Sequence, residues 1–177
     1  FTNYPTGLQQ VYLTASDVNA DGVPDLIATS SVSASVLFGD GFGGFGAPLS
    51  IPDGEGINPA SADFNRDGFP DVVTEVTFGG DAFIGDGTGS FQIQNSAIGV
   101  LSRPVLGEFT GDNHVDLVGL GIGISVFPGD GQGGFAQPTG LANLLTFGTN
   151  AIPADVDRDG HLDLVSNGTQ TPFVGLH

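Results

Sequence analysis

Residues 17–26 read DVNADGVPDL, and the same phrase returns three times: DFNRDGFPDV at 63–72, EFTGDNHVDL at 108–117 and DVDRDGHLDL at 155–164. The first residues of these loops (Asp17, Asp63, Glu108, Asp155) stand 46, 45 and 47 positions apart. A near-constant period of this size is the signature of a repeat architecture, in which each unit buries its apolar face against the next. A second phrase follows each of the first three loops: LFGDGFGGF from Leu37, FIGDGTGSF from Phe83 and FPGDGQGGF from Phe127. A fourth copy begins at Phe173 as FVGLH and runs to His177.

Within each repeat, a short run rich in Val, Ile and Thr follows the acidic loop: LIATS, VVTEV, LVGLG or LVSNG. These runs are too short for a helix and suit a buried strand. One strand leads into each Gly-Asp-Gly tripeptide, one leaves it at Phe45, Phe91 or Phe135, and one enters the next acidic loop. Four strands in about 46 residues match one blade of a β-propeller. Thirty glycines and eleven prolines, with no long helical pattern, agree with short strands and tight turns. The fold class is therefore all-β: a β-propeller of four ~46-residue, four-stranded blades, forming one repeat domain over residues 1–177. Phe1 occupies the repeat position of Phe45, Phe91 and Phe135, so the N-terminal strand is expected to complete the blade that the C-terminal residues begin. Recurrence of Phe83, Phe127 and Phe173 at one position, and of Phe45, Phe91 and Phe135 at another, assigns them to packing between blades.

The acidic loops follow D-x-D/N-x-D-G-x-x-D, with oxygen donors at positions 1, 3, 5 and 9 and a backbone carbonyl at position 7. Calcium takes about six to eight oxygens in a forgiving geometry, and such a curled loop directs alternate residues inward. The expected ligands are Asp17, Asn19, Asp21, Val23 and Asp25 in the first loop, and Asp63, Asn65, Asp67, Phe69 and Asp71 in the second. In the third they are Glu108, Thr110, Asp112, His114 and Asp116, and in the fourth Asp155, Asp157, Asp159, His161 and Asp163. Val23, Phe69, His114 and His161 would contribute only their carbonyls. Position 6 has to turn with positive φ, which Gly22, Gly68 and Gly160 accept freely and Asn113 accepts better than other side chains. Up to four Ca²⁺ ions are expected, one per repeat. The third site should be weakest, because Glu108 and Thr110 replace the better donors, and the fourth, with four carboxylates, among the tightest. An EF-hand is excluded, since position 12 is Ala28, Thr74, Gly119 or Ser166 rather than Glu and the flanks are β-rich.

This placement also explains the charge. The chain has 20 acids against three arginines (Arg66, Arg103, Arg158) and a formal charge of −17. Thirteen of those acids are expected ligands; Asp40, Asp86 and Asp130 sit in the Gly-Asp-Gly turns. Four Ca²⁺ ions, each adding two charges, would bring −17 to −9. Without metal, carboxylates crowded into one loop are expected to raise one another's pKa. The balance excludes nucleic acid as a partner, disfavours anionic membranes, and no apolar run reaches the length of a membrane span. Cysteine is absent, so packing or metal has to supply stability. No leader-type segment opens the chain at Phe1, which fits a mature or excised chain as well as an intracellular one.

The paired phrases, D-x-D/N-x-D-G-x-x-D with F-G-D/N-G-x-G-x-F, resemble the FG-GAP/VCBS repeats of integrin α-subunit propellers and of many bacterial secreted proteins. The resemblance spans essentially the whole chain. It implies a calcium-binding propeller with adhesive or carbohydrate-binding roles, and an extracellular or cell-surface location. Family propellers carry more blades than the four supplied here, which leaves a closed four-blade ring, half of a larger ring completed by a homodimer, or a fragment. Glu108, Thr110 and Asn113 also depart from the family pattern.

No catalytic constellation stands out. His114 and His161 fall at position 7, where their rings are expected to point outward, and His177 is terminal. No nucleophile elbow, metalloprotease motif or cysteine nucleophile occurs. The Gly-Asp-Gly tripeptides read as hairpin turns rather than phosphate loops, because no helix follows them. The sequence therefore reads as a non-catalytic interaction module for a protein or glycan ligand. The absence of Trp and the presence of only two tyrosines, Tyr4 and Tyr12, weaken the glycan version. The alternatives are an accessory domain of a polysaccharide-degrading enzyme and a structural spacer in a larger surface protein.

Overall fold

The computed structural model describes residues 3–9, 11–77, 79–99, 102–120, 124–141 and 151–166. Every regular element among them is a β-strand. The first sheet comprises β1 (Tyr12–Ser16), β2 (Asp25–Ser30), β3 (Ser33–Leu37) and β4 (Leu49–Ile51), hydrogen-bonded in that order. The second comprises β5 (Ile57–Ala62), β6 (Asp71–Val76), β7 (Gly79–Gly85) and β8 (Phe91–Ile98). The third comprises β9 (Val105–Gly107), β10 (Asp116–Leu120), β11 (Ile124–Phe127) and β12 (Thr139–Leu141). From the fourth repeat, β13 (Ala151–Ala154) pairs with β14 (Asp163–Ser166). All pairings are antiparallel meanders. Each acidic loop joins the first strand to the second, and each Gly-Asp-Gly turn joins the third to the fourth, so both lie at the same end of the sheet.

The strands after the loops open on an aspartate and then carry mostly apolar residues, because both of their faces are covered. In β10 all five residues are buried, and in β6 the first four are. Three apolar clusters fill the spaces between successive sheets. Val72, Phe83 and Phe91 of the second sheet pack on Val18, Ile27, Val36 and Ile51 of the first. Leu117 and Phe127 of the third pack on Phe64, Val73, Ala82 and Ile98 of the second. Leu164 of the fourth packs on Phe109, Val118 and Val126 of the third. Phe83 and Phe127 are each 2% exposed; burying one such side chain contributes roughly 1.5–3 kcal/mol. Their expected role between blades is thus observed. Phe135 lies against Phe64 with ring centroids 5.2 Å apart, whereas Phe45 meets Tyr4 edge-on at 5.5 Å. Phe1 and Phe173, and with them the expected completion of one blade by both chain ends, lie outside the described residues.

The first strands form the inner wall: β1 packs against β5, β5 against β9 and β9 against β13. The architecture is that of a β-propeller, with three complete four-stranded blades and the two inner strands of a fourth among the described residues.

Candidate functional site: the acidic loops and the axial cavity

Each acidic loop is a chain of side-chain caps on its own backbone. The position-1 carboxylate accepts N–H bonds from farther round the turn: Asp17 from Asp21 and Gly22, Asp63 from Arg66 and Gly68, Glu108 from Thr110 and Gly111, Asp155 from Arg158 and Gly160. Position 3 caps position 5 where it is Asn19, Asn65 or Asp157. Thr110 makes no such bond in the third loop. Position 5 caps position 7 in all four: Asp21 accepts from Val23, Asp67 from Phe69, Asp112 from His114 and Asp159 from His161, at 2.8–2.9 Å. These caps curl the loop while each carboxylate keeps lone pairs for a cation.

The backbone turns left-handed twice per loop. Position 6 does so at Gly22, Gly68, Asn113 and Gly160, with φ from 64° to 94°. Position 4 does so as well, at Ala20, Arg66, Gly111 and Arg158, with φ from 58° to 80°. Sequence reasoning missed that second turn. Only Gly111 signals it; Ala and two Arg at the same position conceal it.

Position 9 has a different environment. Asp25, Asp71 and Asp116 are fully buried and Asp163 is 3% exposed. One carboxylate oxygen accepts the N–H of position 2 (Val18, Phe64, Phe109 or Val156). The other accepts the first glycine N–H of the Gly-Asp-Gly turn: Gly39 at 2.8 Å, Gly85 at 3.0 Å and Gly129 at 2.9 Å. This aspartate therefore staples the loop to the neighbouring turn. Burial pushes Asp71 up to about 6, against the opposing pull of N–H bonds from Gly85, Phe64 and Asn65. The mutual repulsion expected within the loop also raises it, as a minor contributor, through Asp67. Asp112 moves the other way: the His114 N–H and the nearby imidazole hold it below the usual carboxylate range.

Two loops bring three carboxylates together. Oxygens of Glu108, Asp112 and Asp116 lie within 4.8 Å of one another, and so do those of Asp155, Asp157 and Asp159. In the first two loops the asparagine amide at position 3 donates to the position-5 carboxylate, Asn19 to Asp21 and Asn65 to Asp67, both at 2.9 Å. Their acids form no comparable trio among the described residues. An all-oxygen donor set of this spacing fits a hard divalent cation such as Ca²⁺, so the residues of the third and fourth loops fit the metal that the repeat implies.

The His114 ring corrects one expectation. It lies over Gly131, where a β-carbon would come within 2.7 Å of its Cδ2, and its Nδ1 is 3.3 Å from Asp112 Oδ2. Phe69 covers Gly87 in the same way, so the position-7 side chain serves as a lid on the adjacent turn rather than pointing outward. His161 is exposed, as expected. The acids of the Gly-Asp-Gly turns cap their own turns: Asp40 accepts from Phe42 and Gly44, Asp86 from Thr88 and Ser90, Asp130 from Gln132 and Gly134. These bonds lower Asp40, and the Thr88 hydroxyl and N–H lower Asp86.

Around the axis lies a cavity of about 570 Å³ lined by matched positions from all four repeats. Tyr12, Asn58 and Arg103 each stand five residues ahead of their loop; Leu13, Pro59, Pro104 and Ala151 each stand four ahead. Asn58 and Arg103 share a left-handed backbone, both with φ of 49°. Glu75 ties them together, accepting from the Asn58 amide at 2.8 Å and the Arg103 N–H at 2.9 Å.

The chain belongs to the FG-GAP-like repeat family, which matches residues 17–74 and 108–166 and so well over half of the sequence. No curated protein matches it in sequence. Among solved structures, it is similar to an Agrocybe aegerita lectin described as recognising non-reducing terminal N-acetylglucosamine. That match has a TM-score of 0.68 and 18% identity, covering 94% of this chain and 49% of the lectin. It is also similar to part of the Photorhabdus luminescens Tc holotoxin pore, with a TM-score of 0.54 and 19% identity, covering 98% of this chain and 9% of that one. The chain thus spans about half of the lectin and a small part of the toxin chain. Both likenesses establish the shared fold. No helix among the described residues is long and apolar enough to cross a membrane.

Proposed function

We propose that this chain is a non-catalytic, calcium-stabilised propeller module that recognises a glycan or a protein, acting outside the cell or at its surface. The observation that carries the reading is the repeated oxygen-only loop, above all the two carboxylate trios at Glu108, Asp112 and Asp116 and at Asp155, Asp157 and Asp159. The acids of the loops and turns are engaged in backbone capping and cation-ready clusters, which supports binding over catalysis. Its partners would be calcium, a glycan or protein ligand, and a second copy of the chain.

The likeness to a sugar-binding lectin favours a glycan, and the axial cavity has chemistry suited to one. Tyr12 offers an aromatic face, and Asn58 and Arg103 line the same cavity as polar groups beside it. The test measures melting and glycan-array binding in calcium and in chelator, for the parent chain and for a Asp157→Ala, Asp159→Ala double variant. The parent should melt several degrees lower in chelator, since an ion bound only by the folded state stabilises it by mass action. The double variant should lose much of that difference. A parent melt unchanged by chelator rules out structural calcium, and an array silent in calcium rules out the glycan reading.

A further inference from the structure

Position 4 of each acidic loop is left-handed and exposed, and only an arginine there is long enough to reach a neighbouring loop; Ala20 and Gly111 are not. The junction from the second loop to the third has such a side chain. Arg66 Nη2 donates to Asn113 C=O, 47 residues further along.

The loop on which it lands lacks the internal support of the others. In the first, second and fourth loops the position-1 carboxylate accepts the N–H of the left-handed position 6, from Gly22, Gly68 and Gly160. Glu108, one methylene longer, instead accepts from Thr110 and Gly111 at positions 3 and 4. The cap on position 5 made by Asn19, Asn65 and Asp157 has no counterpart at Thr110. Position 6 of this loop is Asn113, with φ of 64°, a conformation that costs asparagine more than glycine. Its turn is held from the neighbouring loop, where the other three are held from within.

The Asn113–His114 peptide unit is engaged on both sides. Its carbonyl accepts from Arg66, and its N–H, that of His114, donates to Asp112 Oδ1 at 2.8 Å. A cationic donor on a carbonyl polarises the peptide and strengthens the bond that its N–H makes. Asp112 belongs to the carboxylate trio with Glu108 and Asp116, so this line of bonds ends on one of the oxygen donors of the third loop. We propose that Arg66 is a positioning residue for the third loop's metal site, a strut that fixes the Asn113–His114 peptide and through it the Asp112 carboxylate. The metal half of this inference rests on the calcium reading above; the strut itself does not. Removing Arg66 has opposed effects on a bound cation, since it loosens Asp112 and also removes a positive charge. The guanidinium is exposed and its field is screened by solvent and salt, so the loss of positioning wins.

Residue-resolved proton–nitrogen spectra of the 177-residue chain, in chelator and along a calcium titration, test it in the parent, Arg66→Met and Arg66→Lys. Methionine removes the donors and the charge, whereas lysine keeps a cationic donor. In chelator the His114 amide of Arg66→Met should exchange with solvent roughly threefold faster, because its local opening is easier. The Val23 and His161 amides, capped in the same way within their own loops, should be unchanged. In calcium the Gly111 and His114 amides should report an affinity about fivefold weaker in Arg66→Met, while Gly160 reports the parent value. Arg66→Lys should restore most of both effects. Unchanged His114 exchange in chelator overturns the strut, and a third-loop affinity that is equal or tighter in Arg66→Met overturns its role toward the metal. Parent amides that ignore calcium would refute the calcium reading itself, and exchange in chelator would still decide the strut.

Discussion

Asp71 shows how one residue type serves two purposes in the same motif. Its two oxygens accept N–H bonds from Phe64, Asn65 and Gly85, and it is fully buried. Removing it leaves those donors without their acceptor in a buried setting, at a cost of roughly 1–3 kcal/mol for the least compensated of them. Asp71→Ala should therefore destabilise the chain by about 3 kcal/mol in urea melts, and should do so in chelator as well as in calcium. Asp159→Ala should behave differently, because Asp159 is exposed and belongs to the carboxylate trio of the fourth loop; its effect should largely vanish in chelator. A loss of stability at Asp71 confined to calcium would reduce the buried staple to a metal ligand alone. The repeated D at position 9 was legible in the sequence, but its burial was not. A motif records which residues recur, whereas burial depends on the turn some 14 residues later that folds back over it.

At the scale of the element, the acidic loop and the Gly-Asp-Gly turn form one unit. The position-7 side chain closes over the turn: Phe69 on Gly87, His114 on Gly131, Val23 on Gly41. Gly41 and Gly87 share a φ of 72°, so alanine is strained equally by the backbone at both. They differ in space. A β-carbon at Gly87 would overlap the Phe69 ring, while at Gly41 it would sit 3.6 Å from Val23 Cγ2. Gly87→Ala should cost about 1–3 kcal/mol more than Gly41→Ala, the added part being overpacking. Equal thermal shifts for the two would show that the lid carries no packing energy. The strands were readable from their alternation with turn residues, and the Phe83 and Phe127 register from recurrence. The partner of Phe45 was not readable, since Tyr4 occupies the repeat position of Pro48, Gln94 and Pro138, where no aromatic recurs.

For the whole molecule, the dominant fact is a formal charge of −17 with 13 acids gathered in four loops. With calcium removed, that charge acts against compactness over distances that salt screens. Raising sodium chloride from about 50 mM to about 500 mM should raise the melting temperature in chelator by several degrees, and much less in calcium. A melt in chelator that ignores salt would show that the clustered carboxylates exert little mutual repulsion. The result would agree with the local picture at Asp71, where burial rather than neighbouring charge sets the shift.

The sequence alone determined the repeat, its period, the class of fold and the oxygen-rich loops, because each repeat must carry the same turn chemistry and apolar register to stack on its neighbour. It also placed Tyr12, Asn58 and Arg103 at one repeat position, though nothing in their unlike side chains announced it. Only the tertiary structure decided that these three line an axis, that position 9 is a buried staple, and that the position-7 side chains of the first three loops close over the adjacent turns. Those properties arise from the angle between successive sheets, which depends on the sum of side-chain volumes in three inter-sheet cores rather than on any single motif.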